Sequence, residues 1–513
     1  MAKTFEIHPS IGIARVGNSE EFFIGPEPDG AAPAKYRDAG GKLKRQAARF
    51  RVFECERGHG GKLLSATEVV VNQTRVKWTV HLVNRKGAAP KFLGPNPPPL
   101  HRNGATGDDH NIIDKQLIID PGEGSLSGAN QGPLKFDTGK FRNVAVPLGD
   151  IRTDAQARLI VAGGFGTSAS MVTPPAPLDS FADNDDWFDD VSDGPVKATV
   201  TITATGQTVE ARPAWVIVGP PDFAPGIFNL VTLYDIAYEV AVEKSQLQIP
   251  VNPSFVRDIK PILDRAVGYH WVNKLSNQGH GGFTPGNFAT MMSQLANPAT
   301  SGPLATNILN RLRDPNLNPP VAATSSSMPR LHDETNSDQV LPLTKSQYAI
   351  LNKWKAGQYV DDFNHPLPAP PELLPDALDR MALQSCSGGA FFPGIEAGQI
   401  MKDVNVYGEL FHLKQTVLKP GQLTQGNALP WQADFHDCAF DASVRLGWWP
   451  AQRPDDVFPE ALPTTQKPWM RGVTGAGSVG KVDLVKKWHR LGIVVNKGHQ
   501  FLETERDPTL LPH

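Results

Sequence analysis

Two different patterns of apolar and polar positions divide the chain. Up to about residue 245, β-branched and aromatic residues come in short runs broken by Gly, Pro and Asn, the pattern of strands and turns. Residues 76–83 alternate with period two, which places one face in a core and the other in water. Residues 196–204 do the same, Thr205-Gly206-Gln207 reads as a turn, and residues 208–212 return, so a hairpin is predicted. The valines of residues 68–72 predict a further strand. A sandwich or partly open barrel would bury such strands.

From about residue 246 the period changes. Residues 254–259 and 262–265 are predicted helical, interrupted at Pro261, which has no N–H to donate. Thr344-Lys345-Ser346-Gln347 has the form of a capping box. Tyr348, Leu351 and Trp354 or Lys355 then share one helical face, and Gly357 stands where a helix should stop. Residues 296–342, rich in Pro, Asn and Ser, read as irregular, and residues 364–375, with five prolines, as an extended connector. The short amphipathic run 379–385 reads as a helix ended by Gly388 and Gly389. The expectation is an α+β fold: a β-rich region over 1–245, a helical region over 246–365, and an irregular cofactor and catalytic region over 366–513.

At 513 residues the chain is long enough for two to four domains and a large core. A net charge of −3 argues against nucleic acid or an anionic membrane surface as partner. No run of apolar residues is long enough for a membrane span, and the opening residues carry no apolar signal core, so the default address is the cytoplasm. Cys55, Cys386 and Cys438 lie far apart and suit neither a disulfide scaffold nor a cysteine-rich zinc site. Cys55 and Cys438 read as free and structural, and no residue is assigned to a metal. Six aspartates fall between residues 183 and 194. They offer oxygens to a hard cation, but the EF-hand spacing is broken, and a solvated turn is the simpler reading.

The chain has no P-loop, no G-x-G-x-x-G after a strand, no H-E-x-x-H and no G-x-S-x-G. Gly164-Phe165-Gly166-Thr167-Ser168 reads as a loop after the strand at 159–161. The chemistry concentrates in two stretches. The first is Cys386-Ser387-Gly388-Gly389-Ala390-Phe391-Phe392-Pro393-Gly394-Ile395-Glu396. The second runs from Pro430-Trp431-Gln432-Ala433-Asp434-Phe435 to Trp448-Trp449-Pro450-Ala451-Gln452-Arg453-Pro454-Asp455-Asp456. Large aromatic surface beside Asp434, Asp437, Asp441, Arg453, Asp455 and Asp456 suits a ligand pocket. A cysteine hydrolase would need His412 or His436 as base for Cys386, but a cysteine just past a helix C-terminus meets the negative end of the dipole. Asp434 and His436, read as alternate residues of one strand, would share a face and serve as acid–base groups. Arg453 is the candidate cation for a substrate carboxylate, or else pairs with Asp455 or Asp456 as scaffold.

These stretches resemble the bacterial lysine ε-oxidase and glycine oxidase family, whose members carry a cysteine tryptophylquinone (CTQ). The opening residues Ile7–Asn18, the run Lys44–Arg51 and Ser192-Asp193-Gly194-Pro195-Val196 resemble it too, so the likeness runs end to end. It implies a CTQ-dependent oxidase of a primary amine or amino acid, acting through a Schiff base, with O2 reduced to hydrogen peroxide and ammonia released. Carried over residue by residue, Cys386 is the thioether cysteine and Trp449 or Trp448 the quinone-bearing indole. The family's aspartate one turn before the cysteine is replaced here by Ala382, leaving Asp379 or Asp434 to substitute. A separate flavoprotein would mature the quinone, and a homo-oligomer is compatible with the family. The alternative is a homologue lacking the mature quinone, with a binding role or a different activity.

Overall fold

The computed structural model describes residues 3–28, 30–58, 61–92, 100–106, 114–324, 327–332, 340–368, 371–388, 396–440 and 447–510. Its strands in chain order are β1 (Lys3–His8), β2 (Ile11–Arg15), β3 (Phe22–Ile24), β4 (Arg45–Arg57), β5 (Leu63–Glu68), β6 (Thr74–Val80), β7 (Gly124–Ser127), β8 (Leu134–Lys135), β9 (Lys140–Phe141), β10 (Val144–Ala145), β11 (Gly149–Thr153), β12 (Leu159–Gly163), β13 (Ser168–Ser170), β14 (Trp187–Asp189), β15 (Ser192–Ile202), β16 (Thr208–Glu210) and β17 (Ala214–Gly219). Six short strands follow in two-stranded ribbons.

One sheet carries the fold, in the order β7-β6-β15-β17-β2-β4-β12-β11-β8. Its two ends nearly close into a barrel: a Cβ on Gly124 of β7 would stand 2.7 Å from the Leu134 side chain of β8. Closure hides strand edges. The predicted alternation is realised in β6, where Val76, Trp78 and Val80 point into the barrel core beside Phe50 and Val161. The hairpin predicted over 196–212 is β15 and β16, paired antiparallel.

The predicted strand at 68–72 is corrected. The strand ends at Glu68, and Val70 and Val71 are 48% and 37% exposed in the turn to β6. Strand propensity without a face to bury does not hold a strand.

β2 and β17 pair in parallel and form the wall between two cores. Ala14, Val216 and Val218 face the barrel, whereas Ile11, Ile13, Trp215 and Ile217 face the helices. Period-two alternation thus fuses the β-rich and helical regions into one body.

The helices are α1 (Leu233–Glu243), α2 (Lys260–Gly268), α3 (Lys274–His280), α4 (Met292–Ala296), α5 (Pro298–Leu309), α6 (Lys345–Lys355), α7 (Leu374–Gln384), α8 (Trp431–Phe440) and α9 (Gly477–Lys487). None of the described helices is long and apolar enough to cross a membrane. The Thr344 capping box is realised: Thr344 Oγ1 accepts from Gln347 N and Gln347 Oε1 from Thr344 N, both at 3.1 Å. Pro261 does not interrupt a helix. It sits in the first turn of α2, where its missing N–H costs nothing, and a wide π-type turn at Phe255–Ile259 leads into it. Residues 296–342 are not irregular throughout, because α5 lies inside them. Asn297 caps it, Pro298 starts it, and Ala305 and Leu309 bury its inner face. Likewise Pro375 begins α7 rather than ending the connector.

The aspartate stretch is built into the structure, contrary to a solvated turn. Asp183 pairs with Arg102 at 2.9 Å and Asp186 with Arg142 at 2.6 Å. Asp189 pairs with Lys86, and Asp193 accepts from Trp215 Nε1 at 2.9 Å. Asp189, Asp190 and Asp193 are fully buried.

Candidate active site

Helix α7 lies over the start of the sheet and delivers Cys386 from its C-terminal end. Asp379 anchors it there, accepting from Ser10 N at 2.6 Å and from His8 Nδ1 at 3.0 Å. Past the helix the chain runs beside residues 231–233: Leu233 N donates to Cys386 O at 3.2 Å and Gly388 N to Val231 O at 3.1 Å. A Cβ on Gly388 would stand 2.6 Å from Val231 O and 2.7 Å from Thr232 O, so this approach requires glycine. Residues 389–395 of the cysteine stretch lie outside the described residues.

Cys386 is fully buried. Arg15 and Glu396 clamp the backbone on either side of it. Arg15 Nη2 donates to Ser385 O at 2.9 Å and to Glu396 Oε1 at 2.5 Å, and Ser387 N donates to Glu396 Oε2 at 3.0 Å. Burial and the Glu396 charge push the thiol up from its ordinary value, with Arg15 opposing. Burial also raises the Glu396 carboxyl, against Arg15. A raised thiol is the reverse of what a thiolate nucleophile needs. The histidines proposed as its base are engaged elsewhere: His412 packs edge-on against His8, and His436 meets Asp437 and the Gly475 carbonyl.

Trp448 and Trp449 share one apolar core with Cys386. A hydrogen-bond chain joins the two stretches. Tyr269 Oη donates to Asn229 Oδ1 at 3.0 Å, Asn229 Nδ2 to Gln452 Oε1 at 2.9 Å, and Gln452 Nε2 to Ser385 O at 3.1 Å. The same Asn229 Oδ1 accepts from Ala451 N at 2.9 Å. The segment carrying the tryptophans is thereby fixed against the residue preceding the cysteine.

The two indoles have different surroundings. Tyr269 stacks on Trp448 at 5.3 Å between centroids, and the His280 ring meets it edge-on at 5.2 Å. Trp448 also lines a cavity of about 880 Å³, whose walls include Leu230, Phe288, Met291 and Leu304, with His280, Arg311 and Arg330 as polar groups. His280 Nδ1 lies 2.7 Å from the Gly286 carbonyl. A carbonyl only accepts, so Nδ1 carries the proton and Nε2 the lone pair. Burial lowers the pKa of this imidazole. Trp449 instead lies under Arg453, whose guanidinium carbon is 4.6 Å from the ring centroid. Arg453 Nη1 pairs with Asp434 Oδ2 at 3.1 Å, both side chains being buried.

Of the sequence-predicted site residues, Cys386, Trp448 and Trp449 belong to one extended apolar core, and Asp434 and Arg453 form a buried pair beside Trp449. His436 does not join them. The strand expected at 434–436 is helix α8. Trp431 and Phe435 pack four residues apart, centroids 4.8 Å, and that contact favours the helix. Residues two apart on a helix point about 200° apart, so Asp434 faces Arg453 while His436 Nε2 lies 3.1 Å from Gly475 O. The remaining acids are tied outward: Asp437 to Lys481 at 2.7 Å and Asp455 to Asn273 Nδ2 at 2.7 Å. Asp441 lies outside the described residues, as does the Cys438 side chain. Cys55 is free and buried. Sequence reasoning passed over His280, Tyr269, Glu396 and Arg15. Only the glycines around His280 hinted at a special backbone, and Glu396 stood unassigned at the end of the cysteine stretch.

Comparison with known proteins identifies the family and the fold. Residues 8–218 match the family model described as L-Lysine epsilon oxidase N-terminal, and residues 322–458 match the L-lysine epsilon oxidase C-terminal domain. The L-lysine 6-oxidase of Marinomonas mediterranea is 28% identical over 541 aligned positions, covering 84% of this chain and 70% of that protein. The crystal structure of L-Lys epsilon-oxidase from the same organism superposes with a TM-score of 0.76 at 22% identity, over 98% of this chain and 95% of the other. A structure of the Schiff base intermediate of that enzyme with L-Lys gives the same TM-score and coverage. The two family models together cover most of the chain, and the chain belongs to the L-lysine epsilon oxidase family.

Proposed function

We propose that this protein is a CTQ-dependent oxidase of primary amines or amino acids. The observation that carries the reading is the burial of Cys386, Trp448 and Trp449 in one apolar core beside a cavity that Trp448 itself lines. These residues fit the group: a thiol and an indole that must be joined permanently are both dry and are fixed by the Asn229 and Gln452 side chains. Cys386 and one of Trp448 and Trp449 would hold it. Once formed, CTQ supplies an electrophilic carbonyl and a two-electron sink, with O2 as final acceptor and hydrogen peroxide as product.

The remaining chemistry belongs to the chain. The cavity walls exclude water and hold the apolar part of the amine. His280 Nε2 accepts the proton leaving the substrate carbon, its neutral form kept available by burial. Glu396 and Arg15 hold the Cys386 backbone in place. Asp434 neutralises Arg453, and the pair fixes Trp449 from one face. With its charge met by Asp434, Arg453 is the weaker candidate for a substrate carboxylate. Arg330 and Arg311, both in the cavity wall, are the better ones. A separate flavoprotein would mature the group.

The test is co-expression with a maturation flavoprotein of this family, followed by visible absorbance and peroxide release with a panel of amino acids and amines. A quinone band with amine-dependent peroxide supports the reading. A chain that stays colourless and silent under those conditions is the binding-protein homologue.

A further inference from the structure

Beneath the Asp379 end of α7 lies a buried polar cluster that the amine chemistry does not use. Glu6 and His8 alternate along β1 and so share one face of the sheet. His412 reaches them from the segment bridged at Tyr407 and Leu413. All three are buried, and one donor atom from each lies within 4.8 Å of the others. His8 Nε2 stands 3.5 Å from Glu6 Oε2, about the spacing of two ligands on one tetrahedral ion.

The hydrogen bonds fix which nitrogen of each ring carries the proton. His412 Nδ1 lies 3.0 Å from the Leu410 carbonyl, which only accepts, so Nδ1 is protonated. Its Nε2 is a lone pair, buried and without a hydrogen-bond partner. His8 Nδ1 lies 3.0 and 3.1 Å from the two Asp379 oxygens and donates to them. Its Nε2 then turns toward Glu6. One imidazole backed by a carboxylate and one by a carbonyl is the arrangement that orients metal-binding histidines.

Charge points the same way. Glu6, Asp376 and Asp379 gather around His8, and Arg57 and Arg212 answer with two guanidiniums on Glu6, at 2.6 and 3.0 Å. With His8 neutral, three carboxylates face two guanidiniums, and a bound cation would supply the charge that a proton on His8 otherwise provides.

We propose that Glu6, His8 and His412 hold a divalent first-row cation, Zn²⁺ being the best match to two imidazoles and a carboxylate. The three donors are buried and away from the amine chemistry, so the role of the site is structural. It ties β1 to the 407–413 segment under the helix that delivers Cys386.

The experiment uses the full-length protein. Metal content is measured by mass spectrometry after incubation with Zn²⁺ and dialysis, and Co²⁺ is substituted for its visible spectrum. The expected result is one metal per chain with a tetrahedral Co²⁺ band, and a melting temperature that falls on chelation. His412→Gln should remove the metal while far-UV circular dichroism is kept. Should that variant fail to fold, Asp379→Asn leaves every donor in place and should weaken affinity by about 10–100-fold. Wild-type protein that takes up less than about 0.1 equivalent of either ion, or occupancy unchanged in these variants, overturns the site and leaves a protonated His8 as the missing charge.

Discussion

The Asp434 carboxylate and the Arg453 guanidinium stand 3.1 Å apart in a buried pair, and that guanidinium lies 4.6 Å over the Trp449 ring. The pair couples α8 to the tandem tryptophans. Its value lies in what its loss would leave behind. Asp434→Asn removes the carboxylate that Arg453 Nη1 faces at 3.1 Å, and breaking a buried pair from one side costs of order 3–5 kcal/mol. The variant should melt at a lower temperature and accumulate little quinone, with turnover down at least about a hundredfold, the low end for losing a directly required group. Normal quinone absorbance and near-normal peroxide production would remove Asp434 from the mechanism.

His280→Asn tests the base. It should keep the quinone absorbance and lower kcat about a hundredfold or more. The pH profile carries a second signature. Burial lowers the imidazole pKa, and the reactive form is the neutral one. The acid limb of kcat should therefore fall below the ordinary histidine value of about 6.5, with activity retained as pH drops through 6.5 and lost only lower. An acid limb above that value, or a variant with normal kcat, would reassign the proton transfer.

The backbone approach at Gly388 admits no side chain. Gly388→Ala puts a Cβ 2.6 Å from Val231 O, and the shift required should cost about 1–3 kcal/mol. Because that shift moves the cysteine segment, quinone yield should fall more steeply than thermal stability. Equal, small losses in both would mean that residues 231–233 do not set the cysteine's position.

Much of the fold was legible because local and tertiary preferences agree. The alternation at Val76, Trp78 and Val80 needs only a barrel interior to face, and the Thr344 box closes on its own residues. The misreadings share one cause. Residues 298–309 contain two prolines, a glycine and three Ser or Thr residues, poor helix formers, yet α5 forms because Ala305 and Leu309 are buried. At 431–440 the choice between strand and helix is made by the Trp431–Phe435 contact and by Arg453 arriving from nineteen residues downstream. The site stretches could be read as chemistry because Cys386 and the tryptophan pair are dense in sequence. His280 and Glu396 could not, since only the folded chain brings His280 to Trp448 and fixes Arg15 between Ser385 and Glu396.

The three cysteines make a clean comparison. Cys386→Ser should abolish the quinone band. Cys55→Ser and Cys438→Ser should leave it intact, since the cross-link needs one thiol and Cys386 is the cysteine packed in the core of the tandem tryptophans. Loss of the band in the Cys438 variant would move the cross-link to that cysteine.

The most direct measurement is the intact mass of the protein, purified with and without its co-expressed flavoprotein, followed by peptide mapping. Joining Cys386 to an indole and adding two carbonyl oxygens inserts two oxygens and removes four hydrogens, a gain of about 28 Da. The co-expressed protein alone should show that gain. Peptide mapping should yield one cross-linked peptide containing Cys386 and the Trp448–Trp449 pair. An unmodified mass in both preparations, or a cross-link on any other cysteine, would contradict it.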